Sequence, residues 1–300
     1  MDSPDSSAIG ATREKQLMAL NEKSDIPDTV YHYCGEGGFK SIFKSKQIWL
    51  SDVHHMNDST EQTWLIDKAR KRLQELNQGD IGQYIQSINV NIERMAFDPH
   101  AFCFSRNADM LSQWRAYADD GEGYSIGYSS SWLKNQKHLH GRHYVALWEV
   151  EYDEDRQMEL LNHYIDQYLT RVREGGDRRN EGEKLILAIY SLSAACKNPH
   201  FREEQEIRLM IGEPRNKDIY TAKANQRGIL NRFYRDNEIS CFSLAFPEDA
   251  ITSIYLGPRH SAKNDNSALK TFLTENGYIS NQIRIINSDI PYRRVHDERN

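Results

Sequence analysis

The hydrophobic positions of the chain follow a strand pattern near both ends and a helix pattern in the middle. TVYHYC at 29–34 is rich in β-branched and aromatic residues and predicts a strand. Between 154 and 173, apolar residues recur at helical spacing, and 182–196 predicts a second helix rich in Leu, Ile and Ala. The same patterns predict further strands at 47–52, 101–106, 124–129, 143–152, 204–211, 239–246, 251–257 and 282–287.

Shorter helices are predicted between the strands of the first half. GEGGFKSIFKSK at 35–46 indicates a turn and a short helix, and ADMLSQWRAYAD at 108–119 indicates another. Asp58 and Glu61 have the spacing of a capping box at the start of a longer helix. A further helical patch is predicted at 82–96.

The order of these elements predicts an α+β fold. Strands come early and late with helices between them, which favours a mixed, mostly antiparallel central sheet over a doubly wound nucleotide fold. We expect the runs 124–129 and 143–152 to form a strand pair joined by a polar loop. The predicted organisation is a flexible segment at 1–27 and a single α+β domain at 28–292, with helical insertions near 60–96 and 154–196.

Composition narrows the functional classes. The chain has 300 residues, 38% of them hydrophobic, and a formal net charge of -6, whereas a protein that coats nucleic acid would be basic. Its four cysteines form no CxxC pair and lie beside apolar residues, which predicts reduced core thiols. No window approaches the roughly 18 apolar residues of a membrane span, and the N-terminus has no apolar signal segment. We therefore expect a cytoplasmic protein without a membrane partner.

The stretch FREEQEIRLMIG at 201–212 crowds carboxylates ahead of an apolar run. On a strand, Glu204, Glu206 and Arg208 share one face, with the two carboxylates roughly 7 Å apart at Cα. Such a pair suits chemistry at a glycosidic carbon, where one acid stabilises an oxocarbenium-like centre and the other orients a nucleophile. The alternative is an edge strand with an exposed Glu206–Arg208 ion pair of little energetic value.

Polar and aromatic side chains in three other stretches could complete a binding site. His32 lies between Tyr31 and Tyr33 and points away from both; it either binds a ribose or is a core histidine bonded to a backbone carbonyl. Ser105 ends a strand, where its hydroxyl can reach a cleft. The remaining candidates are Trp114 and Tyr117, three apart on a helix, which either stack a planar ring or pack in the core.

HHMNDSTE at 54–61 is the stretch that most resembles a metal cluster. Its spacing fits no zinc pattern, and the capping role of Asp58 and Glu61 explains two of its residues without a metal. We therefore assign no metal ligands. The sequence also lacks the GxSxG elbow of serine hydrolases and the Gly-rich phosphate loops.

Taken together and in order, these motifs resemble an uncharacterised bacterial family of the "domain of unknown function" type. The chain has YHYC at 31, IWLS at 48, NDSTE at 57, FCFS at 102, WRAYADDGEG at 114 and EQEIR at 204. The resemblance covers most of residues 28–257. The chain departs from the family pattern at Cys34, where Thr is usual, and after Asp58, where Pro often follows.

A looser resemblance links the opening strand, helix and strand to ADP-ribosyltransferase folds. It implies an enzyme that takes NAD as substrate, cleaves the nicotinamide–ribose bond, and transfers ADP-ribose to water or to a protein or nucleic-acid acceptor, as a toxin or phage-defence effector. The first strand carries His where the arginine-modifying branch has Arg, so the acceptor stays open. The implied catalytic residues are Glu206, Glu204 and His32, and the implied NAD-binding residues are His32, Tyr33, Ser105, Trp114 and Tyr117.

Two other functions stay open at this point. One is a non-catalytic module that binds a nucleotide or a nucleic-acid end, and the other is a metal-dependent hydrolase built on 54–61. The enzymatic hypothesis requires His32, Ser105 and Glu206 to line one pocket.

Overall fold

The computed structural model describes residues 25–53, 63–76, 88, 97–138, 144–214, 229–234, 237–279 and 282–293. Its strands are β1 (Thr29–Cys34), β2 (Gln47–Asp52), β3 (Phe97–Ser105), β4 (Tyr124–Ser129), β5 (Tyr144–Glu149), β6 (Glu206–Pro214), β7 (Ile229–Tyr234), β8 (Asn237–Ala245), β9 (Ile251–Leu256) and β10 (Arg284–Asn287). Its α-helices are α1 (Glu36–Ser45), α2 (Thr63–Glu75), α3 (Leu111–Tyr117), α4 (Ser130–Lys134), α5 (Glu154–Arg173), α6 (Arg178–Ala195) and α7 (Ser267–Glu275). The predicted patch at 82–96 lies outside the described residues except for position 88, as does most of the predicted flexible segment 1–27.

The described strands form one ten-stranded sheet in the order β10-β9-β4-β1-β3-β2-β8-β7, with β6 and β5 joined to it through β3. The pair β9–β10 is parallel, and the other pairs are antiparallel. β3 pairs with β6 along its whole length, and its other edge pairs with β2 near Ala101 and with β1 at Ser105. The predicted α+β fold with a mixed, mostly antiparallel sheet is therefore confirmed.

The predicted pairing of 124–129 with 143–152 is wrong. Both runs form strands, but β4 lies between β1 and β9, whereas β5 pairs with β6. The connection is not a simple loop, because Ser129 caps helix α4 by accepting a hydrogen bond from the backbone N–H of Trp132. This helix lies between the two strands in the chain, and each strand pairs with different neighbours.

Alternation along the strands gives the sheet two different faces. The first face carries the main apolar core, which includes Val30, Phe102, Phe104, Ile207 and Leu209 and is covered by α1 and α7. The second face carries the side chains between these positions. Since every predicted site residue on a strand belongs to one face or the other, the register decides which of them can meet.

A separate helical layer covers part of the second face. α2, α5 and α6 share an apolar cluster of their own, and the predicted helix at 154–173 is confirmed with those bounds. At the end of α6, Ala194 and Ala195 pack against Ala146, Trp148 and Met210 on β5 and β6. The C-terminus of α6 is thereby held against the part of β6 that carries the predicted carboxylates.

Candidate active site

The chain turns sharply between the two predicted catalytic carboxylates. Glu204 ends a 3-10 helix, Pro199–Glu204, and Gln205 adopts the left-handed conformation with φ 46. The prediction that Glu204 lies on the strand is therefore wrong, because β6 begins only at Glu206. The left-handed conformation of Gln205 nevertheless places the carboxylate of Glu204 beside that of Glu206, since the Lys197 ammonium contacts both.

Glu206 forms a buried ion pair with Arg208 on the second face of β6. Arg208 donates from Nε to Oε1 at 2.9 Å and from Nη2 to Oε2 at 2.7 Å, and its Nη1 donates to the Ala194 carbonyl oxygen at 2.9 Å. Burial raises the pKa of Glu206, but Arg208 and then Lys197 outweigh burial and lower it to about 2. The alternative of an exposed, weak edge pair is wrong, because both side chains are buried.

Lys197 joins the two carboxylates, and sequence reasoning missed it. Its buried Nζ lies 2.6 Å from Oε2 of Glu204 and 3.2 Å from Oε2 of Glu206. The same ammonium lies 4.7 Å from the centre of the Phe201 ring. The only trace in the sequence is a single cation after the apolar end of α6, where a buried lysine requires a carboxylate partner.

Tyr117 brings the cluster to the surface. Its hydroxyl donates to Oε1 of Glu204 at 2.8 Å, while 36% of the residue is exposed. Burial, followed by the charge of Glu204, raises the pKa of this phenol, so it stays a hydrogen-bond donor at neutral pH. We call Tyr117, Lys197, Glu204, Glu206 and Arg208 the carboxylate cluster; its two acids and two cations cancel in formal charge.

Ser105 lies beside this cluster, as predicted for a residue at a strand end. Its hydroxyl donates to the backbone carbonyl of Glu204 at 3.0 Å and accepts from the backbone N–H of Asn107. The backbone N–H of Glu206 donates to the hydroxyl of Tyr152 at 3.1 Å. The structure thus brings four of the predicted site residues together where β3 ends and β6 begins. They are Tyr117, Ser105, Glu204 and Glu206.

His32 does not join the carboxylate cluster, and its predicted place in one pocket with Ser105 and Glu206 is wrong. Tyr31 pairs with Ser105, and Ser105 pairs with Glu206, so these three side chains share the second face. His32 is adjacent to Tyr31 and points to the first face, where its ring stacks on Phe102 at 4.0 Å. The intervening sheet excludes contact between the imidazole and the carboxylates.

The hydrogen bond of His32 matches the alternative of a core histidine. Its Nδ1 lies 2.8 Å from the carbonyl oxygen of Cys103, and since a carbonyl only accepts, Nδ1 carries the proton. Burial lowers the pKa of this imidazole to about 4, although the bond to Cys103 opposes the shift. The ring is therefore neutral at physiological pH and fixed in one tautomer.

Lowering the pH from 6.5 towards 4 is expected to destabilise the fold through His32. In this range the unfolded chain binds a proton that the folded chain excludes, so the free energy of unfolding falls as the pH falls, by about 3 kcal/mol in total. Urea unfolding of the wild type and of His32→Gln at about pH 7 and about pH 5 measures this. His260 titrates in the same direction, so the difference between the two proteins is the diagnostic quantity; equal pH slopes would contradict the prediction.

Trp114 and Tyr33 contact each other rather than a ligand. Trp114 is fully buried, its ring lies 4.8 Å from that of Tyr33, and its Nε1 donates to Asp109 at 2.6 Å. The Tyr33 hydroxyl donates to the carbonyl of Asn107 at 2.8 Å and accepts from the N–H of Met110. The prediction that Trp114 stacks a ligand is therefore wrong, and both rings instead anchor α3 to β1.

The described residues contain no group of three or more His, Cys, Asp or Glu side chains able to hold a metal. The stretch 54–61, on which the metal hypothesis depends, lies outside them. The four cysteines, all within the described part of the chain, form no disulfide; Cys103 is half-buried and the others are buried. No helix in the part of the chain described has the length and apolar character needed to cross a membrane.

One comparison with known proteins gives a match. Residues 113–209 match the model of the family described as "Protein of unknown function (DUF2971)". The predicted resemblance to a family of unknown function is confirmed over this range, which contains all five residues of the carboxylate cluster. Searches of curated proteins and of solved structures gave no match.

Proposed function

We propose that the chain is an NAD-consuming enzyme of the ADP-ribosyltransferase or NAD glycohydrolase type, with Glu204 as the catalytic carboxylate. The observation that carries the proposal is the position of Glu204. Its two oxygens are held by the Tyr117 hydroxyl and the Lys197 ammonium, beside the partly exposed ring of Tyr117. A fixed carboxylate next to an accessible aromatic ring suits a substrate that combines a ribose with a planar base.

Glu204 suits this role better than Glu206, although the resemblance to ADP-ribosyltransferase folds implies a catalytic role for both. Both oxygens of Glu206 are bonded to Arg208, and its side chain is 8% exposed. The side chain of Glu204 is 15% exposed and lies nearer the surface, between Lys197 and Tyr117. Glu206 then acts as a positioning residue, since it holds the Lys197 ammonium that in turn holds Glu204.

The reaction requires stabilisation of positive charge. The bond between C1′ of the ribose and the nicotinamide nitrogen breaks, and its electron pair leaves with the nicotinamide, so C1′ becomes an oxocarbenium ion. A carboxylate fixed beside the ribose stabilises that ion more than the ground state. Water or an acceptor hydroxyl then bonds to C1′ and loses a proton. Tyr117 supplies a ring for stacking on nicotinamide, and His32 has no part in the step.

Incubation of the purified protein with NAD tests the proposal. We expect release of nicotinamide, measured by chromatography, with formation of ADP-ribose or of a modified macromolecule when an acceptor is present. NADH is the matched control, because its uncharged dihydropyridine is a much poorer leaving group and should not be released. NAD that stays intact, with and without cell extract as a source of acceptors, would overturn the proposal.

The second candidate is a non-catalytic nucleotide-binding module. It is favoured by the mutual pairing within the carboxylate cluster, in which Glu206 bonds to both Arg208 and Lys197, because fully paired charges also occur in purely structural networks. The net charge of -6 makes a nucleotide a better ligand for it than a nucleic acid. This candidate predicts nucleotide binding by calorimetry without any turnover of NAD.

A further inference from the structure

A row of register-paired residues crosses the second face of the sheet from the carboxylate cluster to its far edge. Neighbouring strands lie about 4.8 Å apart, so five intervals span roughly 24 Å. One end of the row carries the carboxylates, and the other carries a guanidinium. The row runs, strand by strand, through Glu206, Ser105, Tyr31, Gly127, Ser253 and Arg284.

Three polar side chains, those of Tyr31, Tyr255 and Arg284, lie on the part of the second face that is remote from the carboxylate cluster. The rings of Tyr31 and Tyr255 meet edge to face at 5.8 Å, and both residues are half-buried. Arg284 is exposed on β10 and pairs in register with Ser253, two residues before Tyr255 on β9. Burial raises the pKa of the Tyr31 phenol, and the charge of Arg284 opposes that shift. The structure shows no hydrogen bond or ion pair between any of these three side chains and the described residues. Two phenol hydroxyls and one guanidinium therefore offer hydrogen-bond donors on a single face.

A buried hydroxyl, that of Ser253, lies in the same row between Gly127 and Arg284. Ser253 is fully buried, and its Oγ makes no hydrogen bond to the described residues. A Cβ on Gly127 would lie 2.4 Å from this Oγ and 2.7 Å from Oγ1 of Thr252, so these hydroxyls occupy the space beside the bare backbone of Gly127. Ser253 is one of several buried residues whose polar side-chain atom finds no partner among the described residues, and its register places it on the same face as Tyr31 and Arg284.

We propose that Arg284, Tyr31 and Tyr255 form a phosphate-binding subsite on the part of the second face that carries Gly127 and Ser253. Arginine binds phosphate through paired N–H donors, and phenol hydroxyls donate to the remaining oxygens. The identity of the ligand rests on the proposed function: the subsite takes the pyrophosphate of NAD or ADP-ribose, and the ribose next to nicotinamide lies along the row towards Ser105 and Glu204.

Calorimetric titration with ADP-ribose tests the subsite without depending on turnover. Arg284→Gln is expected to weaken ADP-ribose binding by about 10- to 100-fold, the effect of losing charge-assisted hydrogen bonds. Tyr31→Phe and Tyr255→Phe keep the rings and should weaken binding less. Adenosine, which has no phosphate, should bind equally to the wild type and to Arg284→Gln. The matched control is Arg179→Gln, since Arg179 is an exposed arginine on α6 with 90% of its side chain accessible.

The outcomes separate the subsite from the enzyme. Equal affinity of ADP-ribose for the wild type and Arg284→Gln, or no binding to the wild type, overturns the subsite even when NAD is consumed. Binding that depends on Arg284 while NAD stays intact supports the subsite and overturns the enzymatic proposal. Circular dichroism of each variant verifies folding, which an exposed residue on an edge strand should not affect.

Discussion

Replacing Glu206 by Gln is expected to lower the free energy of unfolding by about 3–5 kcal/mol. The substitution removes the anion that pairs with the fully buried Arg208 and with Lys197, and the neutral amide no longer balances these buried positive charges. Since domains are stable by only about 5–15 kcal/mol, this is a large fraction of the total. Urea unfolding followed by circular dichroism gives the value.

Two further variants make this prediction specific. Glu203→Gln removes a neighbouring exposed carboxylate and should change the stability by less than about 0.5 kcal/mol. The double variant Glu206→Gln/Arg208→Met removes both buried charges and should regain part of the loss, giving a coupling energy between the two sites. A loss below about 1 kcal/mol for Glu206→Gln would show that Arg208 has sufficient other partners.

Replacing Glu204 by Gln is expected to lower the rate of nicotinamide release by about 10²- to 10³-fold. The amide keeps the shape of the side chain but carries no negative charge for the developing oxocarbenium ion. Because that charge exists only near the transition state, kcat should fall and KM should change little. Lys197 keeps Glu206 as its partner in this variant, so the fold should survive.

Steady-state kinetics of three proteins measure this effect. Glu203→Gln serves as the matched control, since it removes the adjacent, exposed carboxylate from the same 3-10 helix. A Glu204→Gln protein that is folded and turns over NAD within about threefold of the wild-type rate would exclude Glu204 as the catalytic group. Loss of activity in Glu203→Gln as well would point to the helix rather than to the carboxylate.

Local patterns were enough to predict most elements of the fold. The helix at 154–173 has both strong periodicity and Asp153 as its cap, and the strand at 29–34 has β-branched and aromatic content with a turn after it. Such elements are determined by residues close in the chain. The pairing of β5 with β6 is different, because it joins residues about 60 apart, and no local pattern specifies that partner.

The candidate site was predictable in its residue types but not in its geometry. Alternation in β1 correctly indicated that His32 faces away from Tyr31. It could not show that Tyr31, rather than His32, shares a face with Ser105, since that depends on the register between β1 and β3. Lys197 was not predicted as a site residue because it belongs to no sequence motif. Only its contacts with the two carboxylates in the folded structure identify it as part of the site.

The long interval between β3 and β6 has a consequence for synthesis. Ser105 meets Glu206 only after about 100 further residues have been added, which takes a ribosome roughly 5–20 s at about 5–20 residues per second. During that time the edge of β3 that will receive β6 has no strand to bind, and an open edge can pair with another nascent chain. Aggregation during expression should therefore be most severe for chains that stop before residue 206.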